Sequence, residues 1–236
     1  MKSLPLHHLY KACVLKDLPF KTTRQLEPLA EIVGQNRAQE AVRFARVQLD
    51  HFDMDVVSIM PPDGYTAICQ CPLCEGKESP ELGPRGRLSN YVWDFVNRVA
   101  REVGKTHPDK RISNCAYGVY TEPPNNIDKL EPNLQVIIVG GRRPRQADRE
   151  DLQRLRDAWQ AKTDRPIEIF ENYPFTARGW YLPAFNPRTL GQSINATKGM
   201  SRGEDIWLSM DFSEKAVAFN HFLVYFTARM YWGGKE

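Results

Sequence analysis

A chain of 236 residues that is 42% hydrophobic and 26% charged, with a formal net charge of +3, has the makeup of a folded protein. That apolar share excludes global disorder, and so small a positive excess excludes nucleic acid or membrane binding driven by bulk charge. No run approaches the roughly 18 apolar residues of a membrane span. Residues 1–16, interrupted by His7, His8 and Lys11, lack the basic-then-apolar order of a signal peptide, so the chain as written is expected in the cytoplasm.

In chain order the first predicted element is a helix over residues 31–44, with Ala38, Ala41, Val42 and the adjoining Ala45 at helical spacing. Its Val33-Gly34-Gln35-Asn36-Arg37-Ala38 run resembles the segment that opens the ATPase region of Lon-like AAA+ proteases. The expected division is therefore a short helical segment at 1–46, not an independent domain, followed by a second region at 47–236. An ATPase would need a glycine-rich phosphate loop ending in Gly-Lys-Thr. At Gly104-Lys105-Thr106 the first glycine position holds Val99 and His107-Pro108 follows at once, which reads as a helix end.

Beyond Arg46 strands and helices alternate. A β-branched strand at 54–60 ends at Pro61-Pro62-Asp63-Gly64, and a helix from about Leu88 places Val92, Phe95, Val96, Val99 and Val103 on one face. Strands follow at 112–118 and 134–139, then a helix at 148–161 presenting Leu152, Leu155 and Trp159. A strand at 167–170 leads to Glu171-Asn172-Tyr173; after a proline-rich loop come a strand at 206–210 and a helix at 216–232. Such alternation predicts an α/β fold of parallel strands with crossover helices.

In (β/α) barrels the chemistry sits at the strand C-termini. Those positions nominate Asp63, Tyr117, Tyr120, Glu122, Tyr173 and Trp207 as substrate-binding residues, and Glu171 and Glu204 as the catalytic carboxylates. Carboxylates at strand ends suit glycoside hydrolysis, in which one acid protonates the leaving oxygen and a second carboxylate acts as nucleophile or activates water. Arg142, Arg143 and Arg145 form a basic patch after the third strand of this region, and His221 reads as a core histidine. The trio Cys69-x-Cys71-x-x-Cys74 has three readings: a metal site (Zn²⁺ with a fourth ligand from elsewhere), a disulfide, or buried small residues. No other cofactor is called for.

Four stretches taken together resemble a bacterial family of the glycoside-hydrolase barrel superfamily known only as domain of unknown function 4838. They are residues 58–64 with Cys69, Cys71 and Cys74; residues 87–100; residues 107–110 with 116–120 and Pro123-Pro124; and residues 220–222 with 228–232. The resemblance runs from about residue 53 to the end, and the closing Ala-Arg-x-x-Trp helix looks like that of α-glucuronidases. It implies a TIM-type barrel, a carbohydrate partner, polysaccharide substrates and full-length relatives that are exported. A complete barrel has eight strands in typically ~250 residues, whereas about five are legible here over roughly 180. The expectation is a partial barrel of the later strands, open at two strand edges that invite self-association, in a truncated or fused reading frame. A non-catalytic carbohydrate-binding scaffold is the alternative, and a regulatory fragment related to a Lon-like protease is the third.

Overall fold

The structure, a computed structural model, describes residues 36–72, 74–140, 146–172, 187–207 and 214–233. Side chains at 36, 146, 172, 207, 214–220 and 223 are outside that description. Two compact units divide the chain at 1–39 and 40–236. Most of the Lon-like segment, together with Arg142, Arg143, Arg145 and Tyr173, lies outside the described residues.

The elements in order are α1 (Asn36–His51), β1 (Val56–Ser58), α2 (Ser89–Gly104), β2 (Arg111–Ala116), β3 (Leu134–Gly140), α3 (Gln146–Gln160), β4 (Ile167–Asn172), α4 (Pro187–Ala196), β5 (Ser201–Trp207) and α5 (Glu214–Tyr231). The five strands form one parallel sheet in the order β1-β2-β3-β4-β5. A strictly sequential parallel order with right-handed crossovers keeps every connecting element on the same side of the sheet. What the described residues contain is a five-stranded open sheet.

Three expectations need correction. The strand forecast at 206–210 begins five residues earlier, at Ser201, because Ser201 and then Gly203-Glu204-Asp205 pair with β4 despite their polarity, Arg202 falling in a register shift between them. Backbone pairing with a neighbour overrides weak strand propensity. Helix α4 stands in what reads as a proline-rich loop: Pro187 opens it, and Leu190 and Ile194 are its buried anchors among Gly, Ser, Thr and Asn residues of low helix propensity. His221 is exposed on α5 rather than in the core.

The core lies between the sheet and its helices. Helix α2 buries Val92, Trp93, Val96, Val99, Ala100 and Val103 on one stripe, against Val57, Ile112, Ala116, Leu134, Val136 and Ile138 of the strands. Helix α3 adds Leu152, Leu155 and Trp159 to the same cluster. Gly104 closes α2 where the side-chain amide of Asn133 approaches to 3.2 Å of the place a Cβ would occupy, and that amide donates to the Ala100 carbonyl at 2.8 Å. The Gly-Lys-Thr run is thus a helix end packed on the lead-in to β3.

Trp93 and Trp159 meet with ring centroids 4.3 Å apart, both with no solvent exposure. Each indole N–H donates to a consecutive carbonyl of the segment after β2: Trp93 Nε1 to Tyr120 at 3.0 Å, and Trp159 Nε1 to Thr121 at 2.8 Å. Ser89 Oγ donates to the next carbonyl, Glu122, at 2.6 Å. Two helices from different crossovers therefore grip one short stretch of backbone. Trp93→Ala is expected to cost about 3–5 kcal/mol, as for a large ring removed from a packed core. Trp159→Phe, which keeps a ring but strands the Thr121 carbonyl, should cost about 1–3 kcal/mol. Urea unfolding of the two variants checks both values and their order.

Candidate functional site

Side chains alternate between the two faces of a strand, and register carries that alternation across the sheet. Ile112, Asn114 and Ala116 pair with Leu134, Val136 and Ile138; Ile138 and Gly140 pair with Ile169 and Glu171; and these pair with Glu204 and Ile206. This is the face covered by helices, since Ile206 packs with Leu190 and Ile194 of α4 and Met230 of α5. The opposite face carries Cys115, Ile137 and Glu168 in one row, with Val139, Phe170 and Asp205 in the next row toward the strand C-termini. All six are at least partly open to solvent.

This parity separates the carboxylates. Glu171 is 1% exposed on the helix-covered face, its Oε1 3.2 Å from where a Cβ on Gly140 would lie and beside Leu152 of α3. Glu204 shares that face through its pairing with Ile169. The structure thus sets both nominated catalytic residues among the packing of the helices. The carboxylates on the free face are Glu168 and Asp205. The signal for Glu168 is the alternation Ile167-Glu168-Ile169, which a reading confined to strand ends passes over.

The Asp205 charge bears on Glu168, and both carboxylates bear on Cys115. Burial, and behind it the Asp205 charge, raise the Glu168 carboxyl above its ordinary range. The Cys115 thiol is pushed up to about 11, first by burial and then by the Asp205 and Glu168 charges. Its thiol is therefore protonated at neutral pH and is no nucleophile there. Arg202 approaches Glu168 at 3.6 Å, an exposed and loose pair. The set offers a carboxyl raised above its ordinary range near a second carboxylate, on a sheet face that no helix covers among the described residues, a combination suited to general acid catalysis with a base or nucleophile.

Asp63, Tyr117 and Tyr120 do come to one region beyond β1 and β2. Tyr117 is 37% exposed, whereas Tyr120 is 1% exposed and packs edge-on to Tyr65 with centroids 6.5 Å apart. The Tyr120 phenol is pushed up to about 12, mainly by burial, with smaller contributions from Cys115, Tyr117, Asp63 and Tyr65. Asp63 is exposed and accepts from the Gly64 amide at 2.9 Å, and Tyr65 N–H closes the turn on the Pro62 carbonyl at 3.1 Å. Gly64, at φ +77°, supplies the conformation this turn demands.

Glu122 is held elsewhere. Its carboxylate lies between Arg85 at 2.5 Å and Arg154 at 3.0 Å, and both guanidinium groups also hold Asp151. Hydrogen bonding from Arg85 and then Arg154 keeps Asp151 below the usual carboxylate range. This four-charge network ties the segment after β2 to α3. Trp207 ends β5 opposite Asn172, with both side chains outside the description, as is Tyr173.

The thiols of Cys69, Cys71 and Cys74 all lie within 4.8 Å of one another and can hold a metal ion. All three are free cysteines, as is Cys115. No helix among the described residues is long and apolar enough to cross a membrane.

The family described as Domain of unknown function (DUF4838) matches residues 42–236. The chain belongs to that family. The match takes in all five strands, both Trp residues of the clamp and the cysteine trio, so the DUF4838 region includes every candidate site residue above. No curated protein and no solved structure matches this chain.

For the DUF4838 sheet the Cys115 environment makes a direct prediction. In the folded, metal-free protein Cys115 should resist alkylation by iodoacetamide at pH 8 and become reactive only as the pH nears 11, while exposed Cys69 reacts readily. Peptide mass mapping of timed alkylations reads both rates.

Proposed function

We propose that this DUF4838 chain is carbohydrate-active, of the glycoside-hydrolase type, and that its sheet is an arc of a (β/α) barrel. The observation that carries this reading is the placement of Glu168 and Asp205 in adjacent rows of neighbouring strands, on the sheet face that no described helix covers, with the Glu168 carboxyl raised. Sequential parallel order supports the barrel arc, because such an order puts all helices outside and leaves the other face as the interior. Side chains projecting from that interior are the ones a substrate meets.

In the proposed chemistry Glu168 protonates the departing glycosidic oxygen. Burial keeps a proton on it at pH values where an ordinary glutamate has lost one. Asp205 serves as the second carboxylate, either attacking the anomeric carbon or activating a water. Tyr117, the exposed ring beyond β2, offers a stacking surface for a sugar. Asp63 lies in the turn just before Tyr65, whose ring packs edge-on to Tyr120. Glu171 and Glu204, on the helix side, act through the position of β4 and β5. The edges of β1 and β5, each with one partner strand among the described residues, are where a second copy would add.

The test is hydrolysis of a panel of aryl glycosides and plant or bacterial polysaccharides by the wild type and four variants. Glu168→Gln and Asp205→Asn are expected to lower kcat at least about 100-fold, the usual scale for a lost general acid or base. Glu171→Gln and Glu204→Gln should act on thermal stability first. The alkaline limb of the pH profile belongs to Glu168, since the acid must keep its proton. A raised value carries activity to higher pH, and that limb should vanish in Glu168→Gln. Full activity in both free-face variants would sink the assignment. Glycan binding without turnover in the wild type would instead identify a carbohydrate-binding scaffold.

A further inference from the structure

We propose that Cys69, Cys71 and Cys74 bind one Zn²⁺ as a clip that holds the loop between β1 and α2. The inference is independent of the carbohydrate reading and stands on sulfur geometry and loop anatomy.

Around tetrahedral zinc, with Zn–S near 2.3 Å, neighbouring sulfurs lie about 3.8 Å apart. Three thiols all within 4.8 Å of one another already outline one face of that tetrahedron. A disulfide requires two sulfurs at about 2.05 Å and leaves the third unused. The backbone arranges this convergence. Cys71 N–H donates to Cys69 Sγ at 3.4 Å, and the amides of Cys74 and Glu75 both donate to the Cys71 carbonyl, at 2.9 and 3.1 Å. The chain thereby folds back so that residues two and three apart point to one place. A sulfur that accepts an amide hydrogen bond is the kind of ligand that thiolate–metal sites use.

The loop supplies the second argument. The described residues of 59–88 contain no strand and only a short 3-10 turn, Pro80–Leu82. Loops this long in compact domains are uncommon unless something holds them. Between Ile68 and Ser79 none of the described residues is buried, so this stretch has no apolar core of its own. Its fastenings among the described residues are Ile68 in the core, the Ser79 amide on the Arg87 carbonyl at 2.7 Å, Arg87 on Glu78 at 2.9 Å and, in the middle, Cys74 alone, packed against the edge of the core. A three-thiolate clip would close the middle, as metal binding supplies folding free energy to small loop-rich segments. Thiolates select zinc over magnesium or calcium. Among the described residues no His, Asp or Glu joins the trio. The Tyr91 hydroxyl of α2 lies 4.0 Å from Cys74 Sγ, and no fourth protein ligand is present among the described residues.

The experiment uses the purified full chain, reduced, incubated with zinc sulfate, desalted and analysed for metal by atomic emission. About one zinc per chain is expected in the wild type and in Cys115→Ser, and loss of it in Cys69→Ser and Cys74→Ser. Proteolysis within residues 59–88 should speed up when zinc is stripped by a chelator. Should a variant fail to fold, Co²⁺ loaded into the wild type decides: near-ultraviolet thiolate-to-cobalt charge transfer supports the site. Zinc well below one per chain, retention by Cys74→Ser, or absence of that band would overturn the proposal. So would a thiol titration without reductant that finds two fewer than the five cysteines of the chain in metal-free protein.

Discussion

The structure depends most on the contact between Trp93 and Trp159 and on the two carbonyls their indoles hold. Helix α2 belongs to the crossover before β2, and α3 to the crossover before β4. They meet on the backbone at Tyr120 and Thr121, just beyond β2. A parallel sheet has no hairpins to hold neighbouring strands in register, so crossover helices must be locked to the sheet and to one another. Large buried rings with one polar handle each suit that task, because apolar area and a directed hydrogen bond come from the same side chain. Around this clamp Ser89 fixes the start of α2, and Arg85, Glu122, Asp151 and Arg154 fasten the same segment to α3 at the surface.

What the clamp positions is the region beyond β2, with Tyr117, Tyr120 and, across the edge-on ring contact, Tyr65 with its turn at Asp63. The cysteine trio lies on the same loop as Tyr65. The free face of the sheet and this loop are thus held by separate means: strand pairing and core packing for one, local hydrogen bonds and convergent thiols for the other. Glu168 and Asp205 sit in the first category. Their electrostatics follow from strand register, in which one residue more or less exchanges the two faces.

That sensitivity explains how far the site is legible in a linear chain. Helices α2 and α3 are legible because their apolar residues recur at helical spacing, and Val92, Val96, Val99, Val103, Leu152, Leu155 and Trp159 are partners of the sheet as their pattern implies. Strands β3 and β4 announce themselves through Val136-Ile137-Ile138-Val139 and the alternating Ile167 and Ile169. Helix α4 does not, since two anchors among poor helix formers carry no clear period, and β5 does not, since its polar residues become a strand only beside β4. At the site, Asp63 and Tyr117 lie where strand ends suggest, while Glu122 is a surface ion-pair partner that its local sequence gives no reason to expect.

The sequence by itself determined the class of the fold, the order of most elements, the family and the cysteine spacing, because each of these resides in local periodicity or in motifs of neighbouring residues. Only the tertiary structure decided which carboxylates share the free face. Glu168 and Glu171 are three residues apart on one strand and therefore point to opposite sides, as do Glu204 and Asp205 as immediate neighbours. Which side is covered depends on where α3, α4 and α5 pack, and that is settled by contacts between residues distant in the chain.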